Sequence, residues 1–336
     1  MSVSHRPLRQ ATAQQAGVRD IQSLPGAEFA DRLPSLLQQA LRREHSLIPP
    51  LLAAWLSLKP AANRALSILL EEAIASQMRR MALAANLQIA IGGQPRVALP
   101  GFAPAYPSSP PLAPEAPAMG IEPFSPRLLR DVLLPQIALS RDGENRHAGA
   151  AGFYLSLREG FQQCHKQLNF DARRSQALDY PPGPPIAAIR GLDNALAALN
   201  ELASHHAPLC DGLAAFAASD SPPGFDPDSV WPMPANVRLD DYPPGSPEQA
   251  LLARFSACYA DFLSHLDAAF SGRVQAMAHA LDLLFDLRLL AAGLMNPAIV
   301  IAPGHPQPLP PIGLCFAGAA DPAGDSFHSG SHAPSG

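Results

Sequence analysis

Charge is what this sequence is shortest of. Lys, Arg, Asp and Glu together make up 16% of the 336 residues while apolar residues reach 47%; about a quarter charged is usual for a soluble domain, so most of the chain is meant to lie inside a folded body. The balance of that charge, −5 with a pI near 6.1, and the lack of any local Lys/Arg cluster leave no electrostatic footprint for nucleic acid. Cysteine is also scarce. Cys164, Cys210, Cys258 and Cys315 form no C-x-x-C pair, which excludes a zinc knuckle and a dithiol redox motif and leaves four small hydrophobes in a reducing compartment. Long apolar runs are missing too. Nothing approaches the roughly 18 residues of a membrane span, and residues 1–20 have no apolar signal core, so a soluble, cytoplasmic chain is expected. Alternating strand patterns, a G-x-S-x-G elbow, a phosphate loop and a dinucleotide fingerprint are equally absent, which removes the usual sequence support for hydrolase, kinase and dehydrogenase chemistry.

Proline is abundant, with 38 residues, and it is gathered between helical stretches rather than spread through them. The expected organisation is a loose arm over 1–32, one helical domain over 33–300 and a disordered Pro/Gly/Ser/Ala-rich tail over 301–336. Leu33, Leu37, Ala40, Leu47, Leu51 and Trp55 recur at the spacing of one buried helix stripe, and Glu44 falls on that stripe. Pro49-Pro50 should break this helix. Asn63 is placed to cap a second helix that ends at Gly92-Gly93, and the proline-dense segment 94–127 should wrap the bundle as extended chain.

A short helix near Pro126–Leu139 and a loop over Ser140–Asn145 come next. A third long helix carries Phe153, Leu157, Phe161, Cys164 and Leu168 on one face. A fourth, after the turn at Tyr180–Pro185, turns Ile189, Leu192, Leu196, Leu199 and Leu202 inward until Pro208. Ser246, Pro247 and Gln249 make a capping-box start for a fifth helix to about Phe270, and a sixth continues to about Met295. The class is all-α, a bundle with long proline-rich connections.

The first hairpin carries a more specific pattern. Arg43-Glu44-His45 with Ile48-Pro49, Met78 to Leu87, Ile91 to Pro95 and Pro100 to Pro107 together resemble the ferritin-like domain of the iminophenyl-pyruvate dimer synthase family, with weaker echoes at Gly152-Phe153-Tyr154 and Trp231-Pro232. The resemblance implies a ferritin-like bundle and a place in bacterial secondary metabolism, where the family couples amino-acid-derived imines oxidatively. It also implies iron held by inward carboxylates and imidazoles from facing helices.

The ligands implied by the resemblance are mostly missing. Glu44 stands at the first-helix carboxylate. Gln77 and Arg80 stand where a carboxylate and a histidine belong, Gly152 stands where a glutamate belongs, and the fourth-helix ligands fall near Ser204 and Asp211-Gly212. A guanidinium has five donors and no lone pair to offer a metal. No metal and no cofactor is therefore expected, and Arg80 is expected to pair with Glu44 inside the bundle, with Gln77 and Tyr154 completing a vestigial binding site.

Other titratable groups read as helix-surface charge: Asp261 with His265, His279 with Asp282 and Asp286, and the pair His205-His206. Two functions stay open at this point. One is a noncatalytic binding or partner subunit, in a homo-oligomer or beside an intact ferritin-like homologue, using the apolar surface of Leu283, Leu284, Phe285, Leu287, Leu289 and Leu290. The other is a metal-independent enzyme acting on a small amino-acid-derived imine or 2-oxo acid, with no catalytic residue assignable beyond the Glu44, Arg80 and Tyr154 neighbourhood.

Overall fold

The computed structural model describes residues 26–138, 149–171, 173–178, 185–296 and 309–318. Nine helices organise them. These are α1 (Gly26–Ser46), α2 (Ile48–Leu56), α3 (Arg64–Ala90), α4 (residues 126–137), α5 (Gly149–Cys164), α6 (Leu192–Ala203), α7 (Ala207–Ala217), α8 (Pro247–Phe270) and α9 (Ala276–Met295). Within α4 a π turn over Leu129–Leu133 joins two short α segments. Among the described residues there is no strand, only isolated bridges between Leu58 and Val230 and between Ser108 and Met119.

Four of these helices make the central bundle, in which α1 packs along α3, α5 along α6, and the two pairs meet through α1 with α5 and α3 with α6. The centrepiece, α3, is helical because no Gly or Pro interrupts 64–90 and its Leu, Ala, Met, Gln and Arg residues are strong helix formers. Gly92 then ends it with a φ of 90°, a conformation an L side chain resists. Asn63 does stand at the N-cap position, but its own left-handed backbone turns the side chain away. The amide instead brackets Asp226, donating to its carbonyl at 3.0 Å and accepting from its N–H at 2.7 Å, so it ties a distant loop to the bundle.

The last residues of the stretch expected as a loose arm over 1–32 are helical. Helix α1 already runs from Gly26, because Phe29 extends the apolar stripe of Leu33, Leu36 and Ala40 by one turn. Its ring is buried against Gly160, where any side chain would collide with it. Residues 1–25 lie outside the described residues, as do the expected Ser140–Asn145 loop, all of the Tyr180–Pro185 turn but Pro185, and residues 301–308 and 319–336 of the expected tail. Part of that tail is folded. Leu309, Ile312, Leu314 and Phe316 are buried, the Ile312 N–H donates to the Leu294 carbonyl at 2.8 Å, and Phe316 packs edge-on against Phe255 and Tyr259 of α8.

The helix break expected at Pro49-Pro50 falls just before them, at Leu47, so both prolines occupy the first turn of α2, where a missing N–H costs nothing. On α6 the innermost positions are Ala195, Leu199 and Leu202, while Leu192 and Leu196 are only half-buried. The break before Pro208 comes at Ser204–His206, and α7 restarts with Pro208 in its first turn.

The proline-rich wrap is anchored by side chains on the helices it crosses. Gln38 donates to the Arg96 carbonyl at 2.6 Å, Asp267 accepts from the Val97 N–H at 2.7 Å, and Ser57 accepts from the Phe124 N–H at 2.8 Å. Phe102, Met119, Ile121 and Phe124 are buried along it. Helices α8 and α9 form an antiparallel hairpin leaning on this bundle. It starts at Ser246, whose hydroxyl accepts from the Gln249 N–H at 3.2 Å while the Gln249 side chain accepts from the Gly245 N–H at 2.9 Å.

Candidate functional site

Glu44 is fully buried at the middle of the four-helix bundle, and three helices converge on its carboxylate. Its neighbour Arg43, also buried, donates from Nη1 to both oxygens at 3.0 Å. From α3, Arg80 donates from Nε to Oε2 at 2.8 Å and from Nη2 to Oε1 at 3.4 Å, and Gln77 donates from Nε2 to Oε2 at 2.5 Å and to the Glu44 carbonyl at 2.8 Å. From α5, the Tyr154 hydroxyl donates to Oε1. The four residues picked from the sequence, Glu44, Gln77, Arg80 and Tyr154, therefore meet at one point, and each of the other three donates to the Glu44 carboxylate.

The electrostatics follow from this closure. Burial alone would push the Glu44 carboxyl up, but the charges of Arg43 and Arg80, with hydrogen bonds from Arg80 and Tyr154, outweigh it and hold the group down at about 2. Tyr154 is pushed well above its ordinary value by burial and by the carboxylate it faces. For Arg80, burial works against the charged form and Glu44 more than restores it. The cluster is a fixed ion network at neutral pH, with no group poised to exchange a proton.

Arg80 has a second task. Beyond Glu44 its guanidinium donates to the carbonyls of Glu201, Leu202 and Ser204, at 3.2, 2.5 and 3.0 Å, and so satisfies the orphan acceptors at the C-terminus of α6. A cation there also meets the negative end of the helix dipole. Gly152 is buried two residues before Tyr154 on α5. Next door, Arg79 points the other way and makes an outer ion pair with Glu201 at 2.7 Å.

Sequence reasoning missed two members of this neighbourhood. Arg43 carried no signal separating it from Arg42 beside it, because what holds it inward is its contact with the Glu44 carboxylate and with the Gln136 carbonyl of α4. His45 is fully buried and its Nε2 lies 2.6 Å from the Tyr259 hydroxyl of α8, with its ring tilted against Phe102. Desolvation pulls its pKa to about 3, so it stays neutral. Tyr106, from the proline wrap, donates to the adjacent Ser46 carbonyl at 2.8 Å.

A divalent cation does not fit the Glu44 pocket. Each carboxylate oxygen already accepts from three donors, and a guanidinium occupies the place from which an imidazole would coordinate. Elsewhere, His265 and His279 bring their rings to 5.5 Å, and His206 lies 3.2 Å from Glu72 at the surface. Among the described residues no group of three or more His, Cys, Asp or Glu is arranged to hold a metal ion, and no helix is long and apolar enough to cross a membrane. The cysteines are unpaired, with Cys164 and Cys210 buried and Cys258 and Cys315 half-buried.

A family model described as ferritin-like matches residues 37–205, half of the chain. Those residues run from α1 to the end of α6, which is the four-helix bundle around Glu44. A crystal structure of a ferritin-like protein from Caulobacter vibrioides is similar to this chain at 21% identity with a TM-score of 0.54, covering 78% of this chain and 95% of that one. At that identity the likeness speaks for the fold. No curated protein matches the chain.

Proposed function

We propose that this chain, which belongs to the ferritin-like family, is a noncatalytic member: a bundle whose metal has been replaced by side-chain cations and which serves as a binding or partner subunit. The observation that carries the reading is the saturation of Glu44 by Arg43, Arg80, Gln77 and Tyr154. Oxygen activation on this fold requires anionic ligands and an open position on the metal, and a network that spends every carboxylate lone pair on internal donors has neither.

The finer assignment rests on the sequence motifs that resemble the iminophenyl-pyruvate dimer synthases, and it sets the chain in bacterial secondary metabolism beside enzymes acting on amino-acid-derived imines. The partner side of the reading draws on α9. Phe285 and Leu289, one turn apart, are 70% and 72% exposed, while Leu287 between them is buried. Leu283, Leu284 and Leu290 are half-buried, so the exposed apolar stripe is narrower than the run of leucines suggests. It suits a second ferritin-like chain, either a copy of this one or an intact homologue.

Incubating the purified protein in air with the imines of indole-3-pyruvate and phenylpyruvate tests the reading. No consumption above the protein-free rate is expected. Turnover by the metal-free protein alone would replace the noncatalytic reading with a metal-independent enzyme of the same kind of pathway.

A further inference from the structure

The two tryptophans of the chain, Trp55 and Trp231, lie on one side of the molecule, and each has a cation over its ring. Arg288 of α9 stacks on Trp55 with its guanidinium carbon 4.8 Å from the ring centre, and Lys59 lies over Trp231 at 5.1 Å. Trp55 and Arg288 stand at the corner between two hollows. On one side, α2, α3 and α9 enclose a cleft of about 490 Å³ walled by Leu52, Ile74, Met78, Leu284 and Leu287. On the other, a hollow of about 560 Å³ is lined by Lys59, Arg64 and Arg288 with Glu71 as its acid.

The cleft is within the size range of small-molecule sites, which run from about 300 to 1,000 Å³ and are mostly apolar with a few polar groups that fix orientation. The sign of the ligand's head group follows from which charges are already served. Glu71 accepts from the Trp55 indole N–H at 3.0 Å and from the Ser67 hydroxyl at 3.1 Å, two neutral donors that hold its carboxylate against the wall and leave its charge to be offset by the cations around it. The Lys59 ammonium donates to a neutral carbonyl, that of Asp228 at 2.6 Å. Arg64 and Arg288 make no ion pair among the described residues. At the corner between the two hollows three cations, Lys59, Arg64 and Arg288, stand against one acid, Glu71, so the cations are in excess by two.

We propose that this cleft binds a single-chain amphipathic carboxylate, with the chain between Met78, Leu284 and Leu287 and the carboxylate at the Trp55–Arg288 corner. A guanidinium held over the indole face still has N–H groups to offer a carboxylate in a two-pronged contact. The exposed Phe285 ring, which also lines the cleft, covers the chain at the mouth. This inference goes beyond the metal-free reading of Glu44 and does not depend on it, because the two sites share no residue.

Titrating the full-length protein with dodecanoate, dodecanol and dodecyltrimethylammonium, by calorimetry and by tryptophan fluorescence, tests the proposal with one chain length and three head groups. Dodecanoate is expected to bind saturably, one per chain, and more tightly than either of the others. Arg288→Gln is expected to weaken it about tenfold, equivalent to about 1.4 kcal/mol. Ala75→Phe and Leu284→Trp, which fill the cleft from opposite walls, are expected to abolish binding, and thermal melting of each variant shows which of them is folded. Because Arg288 is at the mouth of the cleft rather than in the core, its variant keeps the test valid if both filling variants fail to fold. The proposal is overturned if the ammonium or the alcohol binds as tightly as the carboxylate, if none of the three saturates, or if folded filling variants still bind. A stable dimer that hides both tryptophans and binds no dodecanoate would likewise overturn it, assigning the cleft to a second copy.

Discussion

The four-helix core and the α8–α9 hairpin solve opposite problems. The core encloses charge: Glu44, Arg43 and Arg80 are all buried, and each finds its partner within the bundle. The hairpin exposes apolar surface, with Phe285 and Leu289 each more than two-thirds open to solvent and an apolar cleft alongside. A buried charge is tolerable only when paired and hydrogen-bonded, so the core has closed on itself and has no acceptor left to offer. An exposed apolar face lowers its free energy only by meeting something else. On the reading proposed above, the chain's outward chemistry belongs to the hairpin side.

Substitutions can break this contrast, and the largest effects belong to the core. Arg80→Ala leaves Glu44 buried with half its charge partners gone and also strips the α6 C-terminus of its cap. A loss of about 3–5 kcal/mol in urea unfolding is expected, as for other buried pairs deprived of one partner. Glu44→Gln should cost a similar amount, and combining it with Arg80→Met should cost less than the two singles added, because the Glu44–Arg80 pair is lost only once and Arg43 alone is left without its carboxylate. Tyr154→Phe removes one hydrogen bond to the carboxylate and is expected to cost about 1.5–3 kcal/mol.

Acid should reach the core through His45 first. Its folded pKa, about 3, lies below its ordinary 6.5, so the unfolded chain takes up a proton that the folded one refuses. The stability this histidine supports is complete above pH 6.5 and declines as pH falls toward 3, at up to about 1.4 kcal/mol per pH unit for one proton. Glu44, held down at about 2 from 4.5, adds its own loss only below about pH 4.5. His45→Gln should flatten the slope of unfolding free energy between pH 6.5 and 4.5, and an unchanged slope would show that another group governs that window.

The smallest stability effects fall on the surface. Arg79→Ala breaks only the outer pair with Glu201 and is expected to cost about 0–1 kcal/mol. Equal losses for Arg79→Ala and Arg80→Ala would erase the contrast between inner and outer arginines. Phe285→Ser with Leu289→Ser should leave urea stability within about 0.5 kcal/mol while reducing any self-association seen by light scattering.

Most of the bundle was legible in the sequence because helices announce themselves by period and by punctuation. Glu44 stood on an otherwise apolar stripe, Arg80 lay beside the inner face of α3, and the resemblance to the synthases put Arg80 where a metal-binding histidine would face that glutamate, so their meeting was expected from periodicity and resemblance together. Arg43 was not legible: three consecutive charged residues precede His45, and only the packing of α4, whose Gln136 carbonyl accepts from Arg43 at 2.8 Å, selects which arginine turns in. His45 and Tyr259 are far apart in the chain, and a contact of that separation leaves no local trace. The folded piece of the tail was hidden by its composition. Pro and Gly flank it, but Ile312, Leu314 and Phe316 alternate with the period of extended chain lying on a helical surface, and a period of two over so few residues is easily read as noise.

Metal content decides the central claim, that side-chain cations have taken the metal's place at Glu44. The protein is expressed in iron-replete medium, treated with a chelator and analysed for bound metal. If Arg43 and Arg80 neutralise Glu44 as the geometry describes, iron should be far below stoichiometric in the wild-type protein. Iron at one or more per chain that survives chelation would mean that the carboxylate still serves a metal, and would contradict the account at its root.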